Sequence, residues 1–260
     1  MHSKARLLSQ AAPVLGALLF LIALWEAVRR GFALPRIVLP SALDVFFASS
    51  QKAGYILGHL RFTLGEASAG FTLGAVAGVL LAFIFVRFAA LRRALYPLAL
   101  ALKSTPLMAL APLLVLWLGS GAASKVAMSA ILCFFPILVG TYDGLREVDP
   151  ALIDLLRVYG ATPNQLLLKV RLPAALPQVL SGGRVAVPLA VVGAVIGEYL
   201  SATRGIGYII ANAGYHLDTA LIFAAIAAIA IASLIMFGLV VLLERRIAFW
   251  YRRIPSGESW

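Results

Sequence analysis

Acidic residues are scarce in this chain: 11 Asp and Glu stand against 22 Lys and Arg, leaving 260 residues at a formal charge of +11. Cysteine is nearly absent, Cys133 being the only one. That excludes an intrachain disulfide and any multi-cysteine metal site, and within Ile131-Leu132-Cys133-Phe134-Phe135 it leaves this residue the role of a small packed hydrophobe. The three histidines, His2, His59 and His216, are isolated from one another. No HExxH pattern and no nucleophile elbow occurs, so the sequence offers neither a metal site nor covalent catalysis. Long polar stretches are missing too, which argues for a single transmembrane domain over 1–260 without a soluble module.

What is abundant is apolar surface. Hydrophobic residues make up 62% of the chain and the mean hydropathy is +0.96, values that belong to an integral membrane protein. Runs approaching the ~20 residues that cross ~30 Å of hydrocarbon place spans at 11–29, 62–86, 94–118, 123–143, 178–200 and 219–243. An even number of spans puts both termini on one side. The first run follows Lys4 and Arg6 like a secretory signal, but it is too long and lacks a small-x-small cleavage site, so it reads as a retained span.

The basic residues form short groups beside the spans rather than one stripe, which points to lipid and away from nucleic acid. With the N-terminus inside, the inner segments hold Lys4, Arg6, Arg87, Arg92, Arg93, Arg146, Arg157, Lys169, Arg171 and the Arg245-to-Arg253 group. The outer side keeps Arg29, Arg30, Arg36, Lys52, Arg61 and Arg204. The bias follows the positive-inside rule except across residues 30–61. There, Leu39-Pro40-Ser41 followed by Leu43, Val45, Phe46 and Phe47 predicts a helix at the outer interface, started by Ser41.

Small residues recur every fourth position at Gly70, Gly74, Gly78 and Ala82, and again at Gly193 and Gly197. They mark faces of close helix approach, either within the chain or at a dimer seam. Pro106, Pro112 and Pro136 predict kinks in the third and fourth spans. Charges inside or at the rim of spans are expensive unless paired or wet. Among Glu66, Lys103, Lys125, Arg184 and Glu198, the group Lys103, Ser104, Glu198 and Tyr199 is the candidate for lining a pathway. Gly119-Ser120-Gly121 up to Lys125 superficially suggests a phosphate loop, but the GxxxxGK[ST] order is absent and the segment is a turn.

One polar island interrupts the apolar pattern: Asp154-Leu155-Leu156-Arg157-Val158-Tyr159-Gly160, then Ala161, and nine residues on Val170-Arg171-Leu172-Pro173. Leu152, Leu155, Leu156 and Tyr159 share one face of a short helix. Gly160 ends that helix in the left-handed conformation. Thr162-Pro163 starts a second one as N-cap and first helical residue, and Pro173 is expected to stop it. Two short helices with a tight turn make a rigid knob.

That spacing resembles the "EAA" loop of the permease subunits of bacterial ABC importers, with Asp-Leu-Leu standing where the family usually has Glu-Ala-Ala. Lys103-Ser104-Thr105-Pro106, Ala111-Pro112-Leu113, Trp117-Leu118-Gly119, Gly144-Leu145-Arg146-x-Val148-Asp149-Pro150, Gly197-Glu198-Tyr199 and Gly205-Ile206-Gly207-Tyr208 extend the likeness. They are similar to permeases of the nitrate, sulfonate and taurine type and to their pyrimidine-precursor and riboflavin relatives. The resemblance implies an all-α bundle of six transmembrane helices in a bacterial inner membrane, both termini cytoplasmic, with a cytoplasmic coupling loop at 144–177 and a tail at 244–260. It also implies a homodimer, two ATPase subunits that bind the ATP, and a periplasmic solute-binding protein; this chain itself would carry no cofactor and be no enzyme. Asp154, Leu155, Leu156, Arg157, Tyr159, Gly160, Ala161, Val170, Leu172 and Pro173 would meet the ATPase. A secondary transporter or channel would show inverted repeats or midplane ion sites, and a lipid-modifying enzyme would show clustered acids or histidines at one face. Neither pattern is present. The substrate, a small organic solute or an oxyanion, is left open.

Overall fold

The computed structural model describes residues 2–247, with the side chains of 2–12, 14, 15 and 18 left aside. Most of the expected tail 244–260 lies outside the described residues. The described chain is helical from end to end: α1 His2–Gly31, α2 Ala42–Gln51, α3 Ala53–Arg87, α4 Ala89–Ser104, α5 Leu107–Leu118 and α6 Ala122–Arg146. Then come α7 Pro150–Val158, α8 Pro163–Gln165, a π-helical stretch Leu166–Arg171, α9 Leu172–Ser201, α10 Ile206–Tyr215 and α11 Thr219–Ile247.

Among the described residues four helical stretches are long and apolar enough to cross a membrane: α3, α6, the run Pro163–Ser201 and α11. The pair α4 and α5 makes a fifth if counted as one span, bent by 101°. The remaining expected span, 11–29, falls within α1. The expectation of a merely kinked third span at 94–118 is therefore corrected to a broken one. The cause is Thr105-Pro106: a residue before proline is driven out of the helical region, and Thr105 sits at ψ 127°. Ser104 and Thr105 fold their hydroxyls back onto the carbonyls of Leu100 and Ala101, at 2.9 Å each, which satisfies α4's free end.

The helix expected to start at Ser41 forms and is short. Ser41 caps α2 in a reciprocal capping box with Asp44, and α3 then begins at Ala53 rather than 62. At 35 residues α3 is about 52 Å long, so it projects well beyond the hydrocarbon. Lys52 donates to Asp218 Oδ2 at 2.7 Å, and Thr219 Oγ1 donates to the Arg36 carbonyl at 2.9 Å, tying the segment around α2 to the start of α11. Trp25 of α1 donates to the Pro40 carbonyl at 2.8 Å and stacks edge-on against Phe223.

The core is a three-helix sandwich with α6 between α3 and α9. In lipid there is no hydrophobic drive to bring helices together, so contact depends on dispersion between closely approaching backbones, and small residues permit it. A Cβ at Gly74 would stand 2.6 Å from the Ala130 carbonyl oxygen, and one at Gly78 would stand 2.9 Å from that of Phe134. Gly70 faces Ser129 just as tightly. On the other side of α6, Gly193 lies against the Ser129 backbone and Gly197 against Lys125 and Met128. Gly140 and Gly144 of α6 answer Gln178 and Ala175 of α9. The glycine faces are thus used inside the chain, which resolves the alternative of a dimer seam. Ser129 and Cys133 donate from α6 to the Ala190 and Ala186 carbonyls of α9 at 2.8 and 3.2 Å. Cys133 is the buried small hydrophobe its surroundings predict.

Two outcomes follow from this packing. Gly74→Leu lowers thermal stability in detergent by at least about 2 kcal/mol, because the Ala130 backbone cannot yield, while Gly65→Leu, with nothing within 4 Å of its would-be Cβ, leaves the unfolding midpoint unchanged. The hydrogen bond from Lys52 holds the Asp218 carboxyl below its ordinary value of 3.8. A depressed carboxyl contributes stability above its unfolded value and loses it as pH falls through the folded one. The wild-type advantage over Asp218→Asn, under about 1 kcal/mol because the pair is screened, is therefore present at neutral pH and disappears below pH 3.8 in a melting series.

Candidate functional site

The polar island folds as a knob whose every end is capped. Asp149 accepts from the Ala151 amide at 2.8 Å with Pro150 at the first helical position, starting α7. At its other end the Ala161 amide donates to the Leu156 carbonyl at 3.0 Å and the Gly160 amide to that of Arg157 at 2.9 Å. This is the Schellman pattern, and it requires Gly160 in the left-handed region, where it sits at φ 80°. Thr162 then caps α8 in a capping box with Gln165, at 3.3 and 2.8 Å. The turn between the two helices leaves few backbone groups unpaired.

The knob is anchored by Ile153, 3% exposed, and Leu166, 5% exposed. On the far side of α7 from Ile153, Leu152 and Leu155 stand out, and Val158 and Tyr159 at its end are 85% and 80% exposed. Leu156 and Ala161 are half-buried. Asp154 pairs with Arg157 at 2.9 Å, both well exposed, so that bond adds little to stability. Exposed apolar side chains on a stiff element beyond the spans make this face the candidate docking surface.

The second half of the expected knob requires a correction. Pro173 does not stop a helix; Pro163–Ser201 runs as one helical stretch of 39 residues. The stretch Leu166–Arg171 widens to π geometry, with the Leu172 amide donating to the Leu167 carbonyl five residues back. In a regular α-helix the Pro173 ring would collide with the carbonyl four residues before it; the π turn relieves this. Val170, Leu172 and Pro173 therefore lie on the shaft joining the knob to α9, a continuity that a proline-stop rule does not foresee.

Of the four residues expected to line a pathway, Lys103, Ser104 and Tyr199 are exposed and Glu198 is 1% exposed. The two pairs do not meet. Lys103 reaches the Phe135 ring at 4.6 Å, while Glu198 sits at the level of Lys125, ten residues away along α6, or about 15 Å. Glu198 Oε2 accepts from Thr63 Oγ1 at 3.0 Å and from the Gly207 amide at 2.8 Å. Thr63 in turn accepts from the Ile206 amide at 2.8 Å, and His59 Nδ1 from the Gly205 amide at 3.0 Å. A Cβ at Gly205 would fall on the Glu198 carboxyl. Glu198 thus clasps the start of α10 to α3 and α9. The sequence shows Glu198 and Gly205-Ile206-Gly207 separately; only the fold joins them. Lys125 donates to the Ser120 carbonyl and to Ser201 Oγ at 3.3 Å. Arg184, expected near a span end, meets Glu244 of α11 at 3.1 Å, off the angle of a hydrogen bond.

The described residues thus form a bundle of apolar helices carrying a stiff and partly apolar knob beyond its spans. The comparisons with known proteins say to which class it belongs. The family model described as "Binding-protein-dependent transport system inner membrane component" matches residues 71–249, and the chain belongs to this family, the permease subunits of ABC importers. It is 37% identical over 217 residues to a probable ABC transporter permease protein of Haemophilus influenzae, covering 84% of this chain and 89% of that one. The formylaminopyrimidine transport permease protein ThiX of Halalkalibacterium halodurans is 36% identical, at 90% and 94% coverage. The riboflavin transport system permease protein RibX of Chloroflexus aurantiacus is also 36% identical, at 92% and 91%. A solved structure of the MetNI methionine ABC transporter, inward facing, superposes with a TM-score of 0.59 at 23% identity, covering 74% of this chain and 94% of that one, and shows the same fold.

Gly160→Val keeps the chain folded, since nothing lies within 4 Å of the added Cβ, but costs about 1–2 kcal/mol of left-handed strain. Faster amide exchange confined to 150–165, with an unchanged global unfolding midpoint, is the expected result.

Proposed function

We propose that this chain is the permease half of an ATP-driven importer. Two copies form the pathway, two ATPase subunits seat on the knobs, and a periplasmic binding protein delivers the solute. The carrying observation is the knob itself, a fully capped turn that displays Leu155, Val158 and Tyr159 beyond the spans. Leu155, with the half-buried Leu156 and Ala161, fills a groove on the ATPase, and Asp154 and Arg157 meet its polar rim. The long Pro163–Ser201 helix carries the displacement into the sandwich of α3, α6 and α9.

Mechanically this is a two-state system. ATP binding closes the ATPase pair and draws the knobs together, tilting the bundles to open outward; hydrolysis reverses the tilt. The coupling energy is the difference in ATPase affinity for the two permease states. Both termini, the knob and the α3–α4 corner lie on the cytoplasmic side, and the Glu198 clasp lies at the outer end. Lys103 and Ser104, exposed at the broken α4–α5 elbow, line the pathway at mid-depth. The solute is a small organic molecule of the formylaminopyrimidine or riboflavin class, which the names of the 36% identical relatives carry. An aliphatic sulfonate is the next reading, from a Bacillus subtilis relative at 33%.

In proteoliposomes holding the chain, its ATPase and its binding protein, Gly160→Val reduces ATP-driven uptake at least tenfold, and Asp154→Ala lowers the amount of ATPase that co-purifies. Uptake by vesicles containing this chain alone, or normal uptake with residues 158–164 deleted, would overturn the reading.

A further inference from the structure

Behind the knob lies a cavity that the proposed docking touches only at its Asp154 and Arg157 edge. The cavity, of about 410 Å³, opens between the α3–α4 corner, the end of α6 and the inner face of α7. Its apolar wall comes from Phe85, Val86, Ala89 and Ile153; its polar wall holds Arg92, Arg146, Arg157 and Arg171 with a single carboxylate, Asp154. Asp154 is committed to Arg157 at 2.9 Å. Among the described residues Arg92, Arg146 and Arg171 make no ion pair. Arg92 and Arg146 are held together instead by one ring: their guanidinium carbons lie 5.7 and 5.5 Å from the centre of Tyr142, and Arg146 also donates to the Tyr142 hydroxyl at 3.2 Å.

Three guanidinium groups without an anion, converging on one wall, repel each other unless a negative group sits between them. We propose that the cavity binds the phosphate of an anionic phospholipid from the adjoining leaflet. Guanidinium forks match phosphate oxygens in geometry and charge. Lipid is favoured over an acidic side chain of a docked protein by the direction of α7. At 100° per residue, Pro150, Ile153, Asp154 and Arg157 face the cavity, while Leu152, Leu155 and Tyr159 point the opposite way. A protein seated on the exposed apolar face thus reaches the cavity only at the Asp154–Arg157 pair and leaves Arg92, Arg146 and Arg171 uncovered, whereas the last turn of α3, Phe85 and Val86, brings the cavity to the rim of a membrane-spanning helix. One wall for acyl chain and glycerol and one for phosphate is the chemistry of a bound lipid, and basic pockets between helices at a membrane surface take such headgroups. Bound there, the lipid joins α7 to α4 and α6 and steadies the knob from behind.

The test uses the full-length chain in detergent, titrated with phosphatidylglycerol, phosphatidylcholine or inorganic phosphate and read by native mass spectrometry. The expected result is one retained phosphatidylglycerol per chain that phosphatidylcholine does not replace. Arg92→Gln with Arg146→Gln weakens its retention by about twenty-five-fold, two surface charges at roughly fivefold each. Arg204→Gln, remote from this cavity, changes nothing. Both variants are checked for an unchanged unfolding midpoint. Should the double variant unfold, raising the salt concentration on the wild type replaces it: retention falls with salt for a phosphate contact and is indifferent to it for a purely apolar one. Equal retention of the two lipids, or displacement of phosphatidylglycerol by millimolar inorganic phosphate, overturns the assignment. So does a double variant that keeps its lipid while losing its ATPase, which makes the cavity a protein-docking pocket.

Discussion

The structure depends on the closeness with which α6 is held between α3 and α9. Side chains of leucine size would separate these helices; glycines at positions 70, 74 and 78 on one flank and 193 and 197 on the other let backbone meet backbone. In a solvent as apolar as the side chains themselves, this proximity is the source of cohesion, since each additional ångström of separation forfeits dispersion across a whole helix length. Ser129 and Cys133 use the same proximity to donate across to α9. The sandwich thereby behaves as one stiff body to which the knob, the elbow and the outer clasp are attached.

Stiffness gives the knob its meaning. A docking element moves its host only if the link between them does not bend, and here the link is the same helix that supplies one slab of the sandwich. The π turn at Leu166–Arg171 admits Pro173 without interrupting that helix. At the other end, Glu198, Thr63 and His59 together tie the start of α10 to α3 and α9. By contrast α4 and α5 meet α6 through few side chains and break at Thr105-Pro106. The rigid and breakable parts are therefore segregated: α3, α6 and α9 as the body, and the α4–α5 elbow as the segment with room to rearrange.

The family relationship and the local chemistry support each other. Asp-Leu-Leu in place of Glu-Ala-Ala leaves the acid at position 154 engaged with Arg157 rather than reaching outward, and replaces one methyl by the half-exposed Leu155. In the proposed docking, the contact with an ATPase is accordingly more apolar than the usual family pattern implies. The guanidinium wall behind α7 adds a charge that the knob's exposed face lacks.

Much was legible beforehand because it is local. Capping chemistry at Asp149, Gly160 and Thr162 depends on residues within four positions, and the apolar runs depend on length alone, so the knob, the outer helix at Ser41 and the all-α membrane class could be read from the order of residues. The pairing of Glu198 with Thr63 and Gly207 could not, because it joins residues up to 135 positions apart whose spacing carries no signal. The same holds for the use of the glycine faces inside the chain, where sequence offers a face but not its partner. How the chain accommodates a proline was decided differently at two places: at Pro106 the preceding Thr105 leaves the helical region and the helix breaks, while Pro173 is carried by a π turn within a helix packed along α6. Sequence determines the conformations that neighbouring residues allow; only the packed bundle determines which of them is kept, because that choice rests on contacts between helices remote in the chain.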